Sequence, residues 1–129
     1  MTPWTSEELE RIGTAEELQI ASLRRDGTLR KPVTIWVVRV VDDLYVRSVN
    51  GRTATWFRGT LVRREGNIQA GGVKKAVTFE EVLDNETIDR IDAAYRTKYR
   101  KYAPQYVDPL MVPEARSATI KLVPHPTDS

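Results

Sequence analysis

The chain's 129 residues suffice for a single domain, residues 1–129, with a modest core. Its 40% hydrophobic and 29% charged content is that of an ordinary globular protein, no apolar run approaches a bilayer span, and the lack of cysteine excludes disulfides, thiolate nucleophiles and cysteine-bound zinc. A net charge of +2 conceals 14 arginines against 6 lysines; the guanidinium fork matches phosphate and carboxylate bidentately, so a small anionic partner is expected.

The first stretch, MTPWTSEELERIG, has neither the basic nor the apolar region of a secretory signal, which predicts a cytoplasmic protein. Within it Thr5 and Glu8 form a capping box, predicting a short helix that ends at Gly13. Asp26-Gly27 is a hairpin signal and Asp42-Asp43 a second turn, so three consecutive antiparallel strands are expected at about residues 17–25, 32–41 and 44–49. On the middle one Thr34, Trp36, Val38 and Val40 share a face and Val33, Ile35, Val37 and Arg39 the other. Both faces are largely apolar, as in a strand between two layers or in a closed barrel.

Past Gly59, TLVRREGNIQAGGVKKAVTF predicts two or three short strands broken at Glu65-Gly66-Asn67 and at Gly71-Gly72. From Asp84 to Tyr102 the period becomes helical, with Ile88, Ile91, Tyr95, Tyr99 and Tyr102 on one stripe, acids early and cations late. A proline-bearing loop follows, and SATIKLVP alternates as a last strand. Six or seven antiparallel strands, one long helix in the C-terminal half and short helices make a mainly β architecture, a small antiparallel barrel with peripheral helices, since closure removes exposed edges.

Most chemistry is thinly supplied. The single histidine, His125, sits between two prolines in a polar tail and reads as a frayed end, so no histidine triad or metal cluster is available. Asp42-Asp43 reads as a turn and Glu80-Glu81 as the opening of a helical segment, which leaves no paired-carboxylate site. RTKYRKY, residues 96–102, mixes cations and rings, yet its tyrosines fall on the apolar stripe and its cations suit a helix C-terminus; no nucleic-acid or membrane partner is expected.

LYVRSVNGRTATWFRG, residues 44–59, differs from these. Tyr45, Arg47 and Val49 share one face of its strand and Leu44, Val46 and Ser48 the other, with a glycine turn next and a short helix able to start near Thr53. Backbone amides at such a start, with Arg47, Ser48, Arg52 and Arg58 nearby, would form a phosphate site; the competing interpretation is a basic hairpin end with Trp56 and Phe57 in the core.

The segment SLRRDGTLRKPVTIWVVRVVDDLYVRSVNGRTATWFRG resembles the first half of the flavin-binding split barrels related to pyridoxamine 5'-phosphate oxidase and the deazaflavin-dependent nitroreductases. Within that superfamily the chain is similar to a bacterial group of unassigned function, sharing the Asp-Gly hairpin, IWVVRV, LYVRS followed by Gly and Trp, and AAYRTKY. The resemblance spans nearly the whole chain, its weight lying in the order of the motifs. It implies a split barrel that forms a homodimer, with FMN or a deazaflavin coenzyme in a cleft between subunits. Thr34, Ile35 and Trp36 would lie along the isoalloxazine edge, Arg47, Ser48 and Arg52 would meet the phosphate beside Gly51, and Trp56 and Arg58 would complete the pocket. The superfamily often places a lysine just after the strand serine, where this chain has Asn50, Gly51 and Arg52. The implied function is a flavin- or deazaflavin-dependent oxidoreductase of unspecified substrate. The alternative is a cofactor-free split-barrel dimer acting as a small-ligand-binding or scaffold protein.

Overall fold

The computed structural model describes residues 3–125. Helix α1, Ser6–Thr14, starts with the expected capping box: Glu8 N donates to Thr5 Oγ1 at 3.1 Å and Thr5 N to Glu8 Oε1 at 2.9 Å. Gly13 lies inside its last turn rather than ending it; the cap is extended Ala15, whose N–H reaches Ile12 O. Leu9 and Ile12, three residues apart, form its buried face.

Seven strands follow among the described residues: β1 Leu18–Ser22, β2 Val33–Ile35, β3 Val37–Val40, β4 Asp43–Arg47, β5 Glu65–Ala70, β6 Val73–Glu81 and β7 Thr119–Pro124. All pair antiparallel, in the order β2-β1-β5-β6-β7-β4-β3. The two strands at the ends of this order are consecutive in the chain, separated only by Trp36. The expected long middle strand therefore exists as two pieces. Its first half bonds β1, with Gln19 opposite Thr34, and its second half bonds β4, with Val38 opposite Tyr45. The covalent link Ile35–Trp36–Val37 brings the two ends of the sheet together, giving a nearly closed barrel with little free edge.

Alternation sorts the side chains into two clusters. Val37, Leu44, Val46, Ile120 and Leu122 point into the barrel core with Phe57, Phe79 and Trp4, whose indole N–H donates to Leu122 O at 3.0 Å. Their neighbours Val38 and Tyr45 point outward, under helix α3, Asn85–Lys98, which lays Ile88, Ile91 and Tyr95 on them. The predicted stripe is thus buried, although the helix itself stops at Lys98 and Tyr99 and Tyr102 belong to the turn beyond. Asp84 caps α3 by accepting from Thr87 N.

Several expectations are corrected. Residues 60–63 belong to helix α2, Thr55–Arg63, which ends at left-handed Arg64. Glu65-Gly66-Asn67 is no turn but the first half of β5. A Cβ on Gly66 would meet Ala21 O at 2.2 Å, so glycine there permits close approach to β1 rather than a bend. Glu80 and Glu81 end β6 instead of opening a helix. His125 is held, its N–H donating to Ala76 O and its Nε2 lying 2.8 Å from Thr78 Oγ1. Asp26-Gly27 and Gly71-Gly72 do turn the chain, with positive φ at all three glycines. The loop after α3 folds into three helical turns: α4 Pro104–Val107, a 3-10 turn Asp108–Met111 and α5 Pro113–Arg116.

Candidate functional site

Where the broken strand crosses from β1 to β4, a cleft of about 360 Å³ opens beside it. Thr34, Ile35 and Trp36 form one wall, Trp56 from the start of α2 another, and Tyr106, Pro109 and Leu110 close it from the loop after α3; Arg47, Val49 and Gln105 complete the lining. Its size lies at the lower end of small-molecule sites, roughly 300–1,000 Å³. Trp36 is fixed rather than loose: Tyr99 stacks on its ring at 3.9 Å with the planes 4° apart, and Tyr102 leans over it at 5.1 Å. Tyr95 continues the group, 6.0 Å from Tyr99. Burial raises the phenol pKa of both Tyr95 and Tyr99, so both remain neutral donors through the physiological range.

The cleft thus collects Thr34, Ile35, Trp36, Arg47 and Trp56 from the sequence-derived set. Of these, Arg47 already has partners. It is 3% exposed, its Nη1 lies 2.5 Å from Asp92 Oδ1 and donates to Leu110 O at 2.9 Å, its Nε donates to Thr119 Oγ1 at 2.8 Å, and its guanidinium rests 5.6 Å from the Tyr95 ring centroid. The other four positions lie elsewhere. Ser48 is buried just past the end of β4 without lining the cleft, and its Oγ has no partner among the described residues. Arg52 reaches away to Glu81 Oε1 at 2.7 Å and Ser117 O at 2.9 Å. Gly51, at φ +74, packs against α5, where an added Cβ would meet Glu114 Cγ at 2.5 Å. Arg58 is exposed on α2 and lines neither this cleft nor its neighbour.

The neighbouring cleft, about 270 Å³, lies across Trp56 and β2, with Ile20, Ser22, Val33, Thr55 and Thr60 beside three cations, Arg24, Arg30 and Lys31. Sequence reasoning missed both these cations and Tyr106. The hairpin LRRDGTLRK carries four cations against a single acid, and a tyrosine among prolines in APQYVDP was the available signal for the cleft's outer wall. Asp26, the one acid, is occupied: it accepts from Thr28 N at 2.9 Å and Thr28 Oγ1 at 2.7 Å, which holds its carboxyl below the usual range.

A nearly closed antiparallel barrel of seven strands, with one broken strand at the seam and helices outside, is a split barrel of the kind seen in pyridoxamine 5'-phosphate oxidase-like proteins. Its sequence places the chain in the bacterial family described as "Uncharacterized protein conserved in bacteria (DUF2255)", which matches residues 8–122. No curated protein matches it in sequence. Among solved structures it is similar to the conserved hypothetical protein Rv2991 from Mycobacterium tuberculosis, at TM-score 0.65 and 12% identity over 92% of this chain and 78% of that one. A putative pyridoxamine 5'-phosphate oxidase from Listeria innocua gives TM-score 0.64 at 12% identity, covering 93% and 92%. A FAD-binding protein from Mesorhizobium loti gives 0.58 at 16%, covering 97% and 93%. At such identities the likeness is one of fold. No helix among the described residues is long and apolar enough to cross a membrane.

Proposed function

We propose that the protein binds the ring of a flavin, FMN, or of a deazaflavin coenzyme in the seam cleft and acts in the cytoplasm as an oxidoreductase on a substrate the site does not specify. The observation that carries this reading is the aromatic lining: Trp36, held flat by Tyr99, shares a cleft with Trp56, Thr34 and Ile35, a space suited to a flat heterocycle. The FAD-binding neighbour of the same fold supports it. A bound flavin would supply hydride or electron transfer, and the chain supplies position and field; the lack of a catalytic triad is no obstacle to such chemistry. We also propose a homodimer. Val49 and Tyr106 are exposed in the cleft lining, and a second copy of the chain there would cover them and complete the pocket.

One observation favours the alternative, a cofactor-free scaffold: Arg47 and Arg52, the arginines expected to meet a phosphate, are both engaged by carboxylates of the chain itself. Titration of FMN and of a deazaflavin, followed by ligand fluorescence and near-ultraviolet absorbance, decides between them. The proposal expects saturable binding that Trp36→Leu weakens about ten-fold or more. Absence of binding of either compound at about millimolar concentration leaves the scaffold. Sedimentation at micromolar concentration that shows only the 14.7 kDa monomer removes the shared cleft.

A further inference from the structure

We infer that the second cleft, across Trp56 from the seam cleft, is a phosphate-binding site formed by Arg24, Arg30 and Lys31. As the phosphate arm of a flavin-type ligand this rests on the reading above; as an anion site it stands by itself. Most cations of the chain are neutralised: Arg11, Arg39, Arg63, Arg64, Arg90, Arg96 and Arg116 pair with carboxylates, as Arg47 and Arg52 do. Arg24, Arg30 and Lys31 have no ion pair among the described residues, yet all three line one cleft of about 270 Å³.

The fold gathers them. The tight Asp26-Gly27 turn returns the chain so that Arg24 and Arg30 stand on opposite arms of one hairpin, and Arg24 Nη1 is steadied by Leu29 O at 2.9 Å. Arg30 lies across α2 at Gly59: a Cβ there would come within 3.0 Å of Arg30 Nε and 2.7 Å of Ser22 Oγ. That buried Nε has no hydrogen-bond partner among the described residues. An unpartnered guanidinium nitrogen beside hydroxyls and two further cations is an arrangement that an anion with several acceptor oxygens satisfies. Trp56 lines both clefts, and β2 lines one with Val33 and the other with Thr34 and Ile35, so one extended ligand can place its ring in the seam and its phosphate among these cations.

The test uses inorganic pyrophosphate, FMN and riboflavin with wild type, Arg30→Ala, Lys31→Ala and Arg100→Ala, read by tryptophan fluorescence and calorimetry. Arg100 is exposed and outside both clefts. Arg30→Ala and Lys31→Ala are expected to weaken pyrophosphate about ten-fold or more, with Arg100→Ala unchanged, and to abolish a preference for FMN over riboflavin. Gly59→Ala, which displaces Arg30 without removing charge, is expected to weaken it as well. Pyrophosphate binding without any flavin binding upholds this site and refutes the ring reading. Equal affinity for FMN and riboflavin, unaltered in the Arg30 and Lys31 variants, upholds the ring reading and refutes this site. Binding of neither pyrophosphate nor FMN by wild type, or equal weakening by all three charge-removing variants, overturns it outright.

Discussion

Arg47 Nη1 and Asp92 Oδ1 stand 2.5 Å apart, the arginine side chain wholly buried and the aspartate 22% exposed. The pair ties β4 to α3, and the same guanidinium reaches Leu110 O and Thr119 Oγ1, so one residue joins two strands, the long helix and the loop after it. Arg116 Nε lies 3.1 Å from the other oxygen of Asp92, an ion pair whose angle does not make a hydrogen bond. Removing one partner leaves a buried charge alone, which typically costs about 3–5 kcal/mol. Asp92→Ala is therefore expected to lower unfolding stability by about 3 kcal/mol, the low end because Asp92 is partly wet. Urea denaturation checks this; a loss under about 1 kcal/mol would mean that packing, not the pair, holds α3. It follows that Arg47→Ala changes folding as well as any binding, so it is unsuited to isolating a ligand contact.

Gly51 tests whether a predicted site residue is instead a packing residue. It adopts φ +74 and faces Glu114 Cγ at 2.5 Å. A left-handed non-glycine residue costs about 1–3 kcal/mol, and here the clash adds to it. Gly51→Ala is expected to lower the melting temperature equally with and without FMN. A variant that keeps wild-type stability but loses FMN would return Gly51 to the site.

Lys98 gives a pH signature. Its Nζ donates to Val37 O at 2.6 Å, while Glu16, the nearby acid, is taken by Tyr102 Oη at 2.5 Å and Lys101 Nζ at 2.9 Å. Burial lowers its pKa from 10.5 to about 8, against a smaller opposing pull from Glu16. Between those values the unfolded chain holds a proton that the folded chain has released, so this group makes stability rise with pH from about 8 toward 10. Tyr95 and Tyr99, raised by burial, act oppositely once tyrosines of the unfolded chain begin to ionise near 10. Urea midpoints at three pH values across 8 to 10 should climb in wild type and flatten in Lys98→Met. An unchanged slope in the variant would assign the effect to another group.

Much of the barrel was legible because its signals are local. The capping box at Thr5, the Asp26-Gly27 turn and the alternation of β4 and β7 depend on neighbours in sequence. The break at Trp36 was not, because closure of the barrel is a property of the whole sheet and leaves no period in residues 33–40. Gly66 misled for a similar reason: its purpose is the approach of Ala21 O, a residue 45 positions earlier. The candidate cleft's lining was legible in part: Thr34, Ile35, Trp36, Arg47 and Trp56 line it, while Ser48, Gly51, Arg52 and Arg58 do not. Residue types pointed to rings and cations near LYVRSVNGR, but which arginines the carboxylates at Glu81 and Asp92 would claim is decided by tertiary packing.

The two tryptophans of the seam cleft are expected to respond differently to truncation. Trp36 links the strand halves and stacks on Tyr99, which itself accepts from Val37 N and donates to Glu16 O; Trp56 is half-buried, meets Phe57 edge-on at 6.1 Å, and stands between the two clefts. An aromatic pair contributes about 0.5–1.5 kcal/mol beyond its buried area, so Trp36→Leu should lower both stability and FMN affinity, while Trp36→Phe, which keeps a ring on Tyr99, should restore most of the stability. Trp56→Leu should leave stability within about 1 kcal/mol of wild type yet weaken FMN about ten-fold, because the wall that orients the ring and divides it from the basic cleft is gone. Melting curves and fluorescence titrations on the three variants are sufficient. If Trp56→Leu loses stability in proportion to affinity, Trp56 belongs to the core rather than to the site.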